Sequence, residues 1–129
     1  MRYLTSDELL AIHLEAINEF GGAVEILDFE KLKSCLETPQ QTMFGEDLYP
    51  DLVSKAAIMF VLLVKNHPFM DGNKRTATLA LFEFLERNGH TLAATNDQLY
   101  EFTLNVATSV LGKDQVATWI RTRLVQSEI

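Results

Sequence analysis

The densest collection of reactive side chains in this chain is the run His67-Pro68-Phe69-Met70-Asp71-Gly72-Asn73-Lys74-Arg75-Thr76. It sets a base, a carboxylate, a glycine, an amide and two cations side by side. Pro68 disfavours helical geometry at His67, and Gly72 permits a backbone conformation closed to other residues. A helix beginning near Asn73 aims its first free N–H groups into this segment. With the helix dipole, Lys74 and Arg75, those groups make an anion site suited to phosphate. Cations at a helix start oppose the dipole, and a bound phosphate supplies the reason for them. His67, with an intrinsic pKa near ~6.5, can serve as a neutral base. Asp71 is a hard oxygen ligand suited to Mg²⁺, which keeps several waters and binds through few carboxylates plus phosphates. Asn73 can donate a side-chain hydrogen bond to a phosphate oxygen, and Phe69 is expected to anchor the loop in the core. These groups form a set for phosphoryl or nucleotidyl transfer, a chemistry of positioning, charge stabilisation and proton removal.

Helical periodicity dominates the elements that must hold this segment. Thr5 and Glu8 have capping-box spacing, and Leu9, Ile12, His13, Ala16, Ile17 and Phe20 form one stripe that Gly21-Gly22 ends. Asp28 suits an N-cap, with Leu32 and Leu36 inward and Pro39 as the stop. Residues Pro39 to Leu48 lack periodicity and predict an exposed loop or short hairpin. Pro50 suits the first turn of a third helix reaching about Asn66. Almost every side chain of that helix between Val53 and Val64 is apolar, Lys55 being the charged exception, so the helix must be surrounded by protein. Asn73 to Arg87 reads as a fourth helix stopped at Asn88-Gly89. Thr95 and Gln98 mark a fifth, with Leu99, Phe102, Val106 and Val110 on one face and Gly112 closing it. A sixth covers roughly Asp114 to Gln126, anchored by Val116, Trp119, Ile120 and Leu124. The expectation is an all-α, single-domain bundle of about six helices over residues 1–129, the reactive loop lying between two central buried helices. Any β-structure should be a small ribbon at 39–48 or 90–94. His13 is expected to be a satisfied, half-buried side chain, His90 a helix-terminus residue and Cys35 small core filler.

Composition narrows the classes of function. The 129 residues suit one domain, and 47% hydrophobic residues are too many for a disordered chain. Eleven Lys and Arg against 18 Asp and Glu leave a formal charge of -7, which argues against a general nucleic-acid or anionic-membrane binder. In so acidic a chain, positive potential concentrated at one loop is informative. The lone Cys35 excludes an internal disulfide and a cysteine-built metal cluster. The opening residues lack an apolar h-region, and the longest apolar run, Ala56 to Val64, is too short to cross a bilayer. A soluble cytoplasmic protein is expected.

The reactive segment resembles the signature of the Fic/Doc superfamily, a loop His-x-Phe-x-Asp/Glu-Gly/Ala-Asn-x-Arg joining two central helices. Within the superfamily it is most similar to the death-on-curing (Doc) toxins. The likeness extends through Tyr3-Leu4-Thr5, Gly21-Gly22 and Asp47-Leu48-Tyr49-Pro50. AMP-transferring Fic proteins have a second glycine where this chain has Lys74, and a further arginine where it has Thr78. A lysine there should crowd and recharge the pocket for the outer phosphates. Both departures are as in Doc toxins, and the resemblance implies a protein Ser/Thr kinase. Such an enzyme holds ATP in a reversed orientation and moves its γ-phosphate to a threonine of elongation factor Tu, arresting translation. Carried over by position, His67 is the base and Asp71 the Mg²⁺ ligand. Gly72, Asn73, Lys74 and Arg75 form the phosphate cradle. No Walker-type Gly-x-x-x-x-Gly-Lys-Ser/Thr occurs.

Many Fic proteins carry an inhibitory helix with a Ser/Thr-x-x-x-Glu/Asp-Gly/Asn pattern. The only acid followed here by Gly or Asn is Asp71, and the pattern's first position is then His67, so the pattern is absent. The resemblance implies inhibition by an antitoxin chain whose disordered tail folds as a helix into a groove near the loop. The first helix and the Pro39–Leu48 loop are the candidate walls, and that loop, with Met43 and Phe44, is a candidate flap for a protein substrate. Alternative readings are a Fic-like AMP transferase and a degenerate antitoxin-binding module. A helix-turn-helix regulator is disfavoured by net charge and by the lack of a basic recognition helix.

Overall fold

The computed structural model describes residues 1–127, which form six α-helices and two small antiparallel ribbons. Helix α1 (Ser6–Phe20) starts at the expected capping box, where the Thr5 hydroxyl accepts from the Glu8 N–H and the Glu8 carboxylate accepts from the Thr5 N–H. Helix α2 (Phe29–Glu37) is capped by Asp28 and passes into a 3-10 turn at Thr38–Gln40. The non-periodic stretch is a hairpin, β1 (Thr42–Met43) against β2 (Glu46–Asp47), with Phe44 fully exposed at its tip. Helix α3 (Leu52–Asn66) begins after Asp51, whose carboxylate caps the Ser54 N–H. Pro50 therefore lies outside the helix rather than in its first turn.

Helices α3 and α4 (Asn73–Arg87) pack against each other at the centre, and α1, α2, α5 (Asn96–Ala107) and α6 (Lys113–Arg123) surround them. The apolar run of α3 is buried as its composition demands. Phe60, Leu63 and Val64 meet Leu81, Phe84 and Leu85 of α4, with Phe102, Val106, Val116 and Ile120 closing the far side. Lys55 is only 2% exposed. It is held by the Pro39 carbonyl at 3.0 Å and the Asp47 carboxylate at 3.5 Å, tying the hairpin base to α3. Cys35 is buried core filler, and Trp119 stacks on Phe102 with ring centroids 3.8 Å apart.

Three further expectations are corrected. Phe20 leaves the buried stripe of α1 and is 54% exposed, because the helix ends there and the ring turns to the Arg75 guanidinium, 3.8 Å from its centroid. Helix α5 ends at Ala107, since the N–H groups of Val110 and Leu111 fold back onto the Asn105 carbonyl, and Val110 is exposed. The last helix stops at Arg123. Leu124–Gln126 form strand β4, which pairs with β3 (His90–Leu92) in the register His90 to Gln126. That ribbon holds the turn after α4 through His90, and its second strand comes from residues with helical neighbours.

Candidate active site

The reactive segment is the connection between α3 and α4, two rigid buried helices, so its backbone is fixed at both ends. His67 ends α3 in the left-handed region at φ 50°, ψ 59°. The proline after it disfavours the right-handed helix, and an αL residue is a common helix stop. For a non-glycine residue this conformation costs about 1–3 kcal/mol and is found where surrounding structure enforces it. The imidazole is exposed and makes no side-chain hydrogen bond among the described residues, so a ring nitrogen is free to accept a proton.

Three further contacts hold the loop. Phe69 is 1% exposed and anchors it in the core, as expected. Asn73 is buried, and its amide embraces the Phe69 backbone: Oδ1 accepts from the Phe69 N–H at 3.0 Å and Nδ2 donates to the Phe69 carbonyl at 2.8 Å. This adds a second role to the one expected, and one Nδ2 hydrogen remains for another acceptor. The side chain is a loop staple, supplying the partners that the two buried backbone groups of Phe69 need. Asp71 is exposed, and its Oδ2 accepts from the Ala23 N–H at 2.7 Å.

The start of α4 differs from those of α1, α2, α3 and α5 and shares with α6, which follows Gly112, the lack of a side-chain cap. Side-chain oxygens of Thr5, Asp28, Asp51 and Thr95 cap α1, α2, α3 and α5, whereas Gly72, at φ 77°, offers α4 none. A positive φ here suits glycine alone without strain. The N–H groups of Asn73, Lys74 and Arg75 therefore open into a cavity of about 300 Å³ lined by His67, Asp71, Gly72, Asn73, Lys74 and Arg75. Neither cation has a carboxylate partner within salt-bridge distance among the described residues. Uncapped amides, a helix dipole and two unneutralised cations are a built receptor for phosphate oxygens. Lys74 and Arg75 also line a neighbouring groove of about 780 Å³, walled by Glu19 and Phe20 of α1 and by Tyr100 and Leu104 of α5. Of the two segments expected to wall a groove, α1 does so, while the hairpin lines neither of these two cavities.

The residues suit a triphosphate with Mg²⁺. Asp71 supplies one hard oxygen beside the anion site, and no cluster of three or more His, Cys, Asp or Glu among the described residues could cage an ion alone. Magnesium is commonly shared in this way between a carboxylate, phosphates and water. Thr78, standing where AMP-transferring proteins have an arginine, donates its hydroxyl to the Lys74 carbonyl at 3.0 Å and lines the groove.

His13 is satisfied, as expected, and more deeply buried than expected, but its contact with the loop was not foreseen. Its ring is buried, stacked on Phe69 at 3.7 Å between centroids, and its Nε2 lies 2.8 Å from the Asp71 carbonyl. The available signal was its place on the apolar stripe of α1, in front of a glycine pair.

Comparison with known proteins agrees with this geometry. Residues 3–85 match the Fic/DOC family. "Toxin Doc" of Mycolicibacterium smegmatis is 40% identical over 100 residues, covering 76% of this chain and 77% of that protein. "Protein kinase doc" of Escherichia phage P1 is 30% identical over 121 residues, 94% of each chain. No helix among the described residues is long and apolar enough to cross a membrane.

Proposed function

The chain belongs to the Fic/DOC family, and from that membership we propose that it is the toxin of a toxin–antitoxin pair, an ATP-dependent protein Ser/Thr kinase whose substrate is a threonine of elongation factor Tu. The observation that carries this reading is the uncapped start of α4, with Lys74 and Arg75, opening beside the unengaged imidazole of His67. In the proposed reaction the acceptor hydroxyl gives its proton to His67 as its oxygen bonds to the γ-phosphorus. The bond from that phosphorus to the bridging oxygen breaks, and ADP leaves. The α4 amides and the two cations hold the phosphate oxygens through this change, which is where most of the barrier is lowered. Magnesium, held by Asp71, would neutralise part of the phosphate charge. Lys74 at the second-glycine position of AMP-transferring relatives supports γ-phosphate transfer over AMP transfer. The exposed hairpin, with Met43 and Phe44, is the proposed flap for the protein substrate.

The groove between α1, α4 and α5 is the proposed seat of an antitoxin helix. Its exposed apolar walls Phe20, Tyr100 and Leu104 suit the apolar face of an amphipathic segment, with Glu19 and Asp97 on one hand and Lys74 and Arg75 on the other to meet charges of both signs. The test is incubation of the chain with elongation factor Tu and ATP labelled at the γ or the α position. Label is expected on the factor from the γ position only, and His67→Ala should lower the rate on the order of 10²–10⁴-fold. Label from the α position identifies an AMP transferase instead.

A further inference from the structure

Resting on the reading of Asp71 as the magnesium-binding carboxylate, we propose that α1 belongs to the active site: His13 and the Gly22–Ala23 peptide are positioning groups that set Asp71 in place and thereby set the affinity for Mg²⁺. Neither lies in the signature loop, yet both reach the same residue. His13 holds its main chain. A carbonyl oxygen only accepts, so the Nε2 atom 2.8 Å from the Asp71 carbonyl carries the hydrogen, and the tautomer follows from that partner. The imidazole is 2% exposed and lies nearly parallel to Phe69, at 6°, so the ring has no freedom to swing off the bond.

The Ala23 N–H holds the carboxylate. It binds Oδ2 at 2.7 Å and leaves Oδ1 with no protein partner among the described residues, presenting one oxygen outward. Such an approach requires glycine at position 22. A Cβ there would lie 2.9 Å from the Asp71 Cβ and 3.2 Å from the Ile17 Cδ1, and the φ of 118° is strained for any other residue. The turn cannot drift from the loop, because Met70 N–H donates to the Glu25 carbonyl and Leu27 N–H to the Pro68 carbonyl. A carboxylate oriented in this way is ready to bind metal. A loosened one must be ordered by the metal, and a higher metal concentration can restore it.

The test uses the full chain and four variants. His13→Phe keeps the stack and loses the hydrogen bond, His13→Gln keeps a donor near the Nε2 position, Gly22→Ala intrudes on Asp71, and Asp71→Ala is the reference. Backbone amide exchange is measured by NMR on metal-free protein, and substrate phosphorylation is measured as a function of Mg²⁺ at saturating ATP. The Ala23 amide is expected to exchange at least about tenfold faster in Asp71→Ala and Gly22→Ala. Half-saturating Mg²⁺ should rise about tenfold or more in His13→Phe and Gly22→Ala, within the range lost when a partner of a metal ligand is removed. Their kcat at saturating Mg²⁺ should stay near wild type, with His13→Gln close to wild type in both readouts. If Gly22→Ala does not fold, the His13 pair decides. An unchanged Ala23 amide in Asp71→Ala overturns the proposal, as does wild-type Mg²⁺ dependence in His13→Phe or a loss equal at every Mg²⁺ concentration. Altered amides together with wild-type Mg²⁺ dependence in Asp71→Ala would instead remove the metal role of Asp71, and the proposal with it.

Discussion

Replacing Asn73 with alanine removes both partners of the Phe69 backbone at once. The Phe69 N–H and C=O are bonded at 3.0 and 2.8 Å to one amide, and both residues are buried, at 1% and 9% exposure. A buried backbone group left unpaired costs about 1–3 kcal/mol, so the pair amounts to roughly 2–4 kcal/mol once water enters the vacated space. For a domain of this size that corresponds to a fall in Tm of roughly 8–15 °C. Asn73→Asp keeps the acceptor, loses the donor and should fall about halfway. The assay is urea unfolding of nucleotide-free protein followed by circular dichroism, with the m-value as a check that the unfolded states match. The proposed kinase activity should fall with the loop geometry, in kcat more than in KM for ATP. A variant within about 0.5 kcal/mol of wild type, with its defect confined to KM for ATP, would refute the reasoning. It would show the amide working on nucleotide, with the loop held by other contacts.

Asp47→Ala should destabilise by about 1–3 kcal/mol in the same assay, far more than an ordinary half-exposed position, because it leaves the buried Lys55 ammonium with the Pro39 carbonyl and the face of the Tyr3 ring but no counter-charge. Glu8 is held at about 2, well below its ordinary 4.5, by the hydrogen bond from Arg87 and then by the Thr5 N–H. A carboxyl lowered in the folded state stabilises above its unfolded value and loses that contribution as pH falls. Glu8→Gln, which preserves the cap, should therefore flatten the stability profile between pH 4.5 and about 2, by about 1 kcal/mol given its solvent screening. Burial pushes the Cys35 thiol up to about 12, so alkylation at neutral pH should occur only as fast as the protein opens, measured by mass spectrometry with and without urea. Reaction at the rate of a free thiol would contradict the buried position.

Much of the fold is legible from short-range rules. Thr5 with Glu8, Asp28, and Thr95 with Gln98 identify helix starts because a cap is closed by side chains within one turn of the chain. The central position of α3 follows from its composition, since a helix apolar on every side from Ala56 to Val64 has no face there to give to water. The reactive loop is legible for a related reason. Its chemistry is written in adjacent residues, and Pro68 and Gly72 mark its ends.

Other features are decided only by what meets through space. Leu124–Gln126 leave the helical pattern because His90–Leu92 offer a free strand edge, a partner that local periodicity does not contain. The type of Asn73 suits a phosphate contact, and only its proximity to the Phe69 backbone turns it into a staple. His13 reads as filler on an apolar stripe until α1 and the signature loop end at the same place, where one bond and one stack attach it to Asp71 and Phe69. Helix hydrogen bonds close within a few residues, so local sequence determines the helices and the reactive types they carry. The orientation of those groups depends on contacts between segments far apart in the chain, and these exist only once the helices have packed.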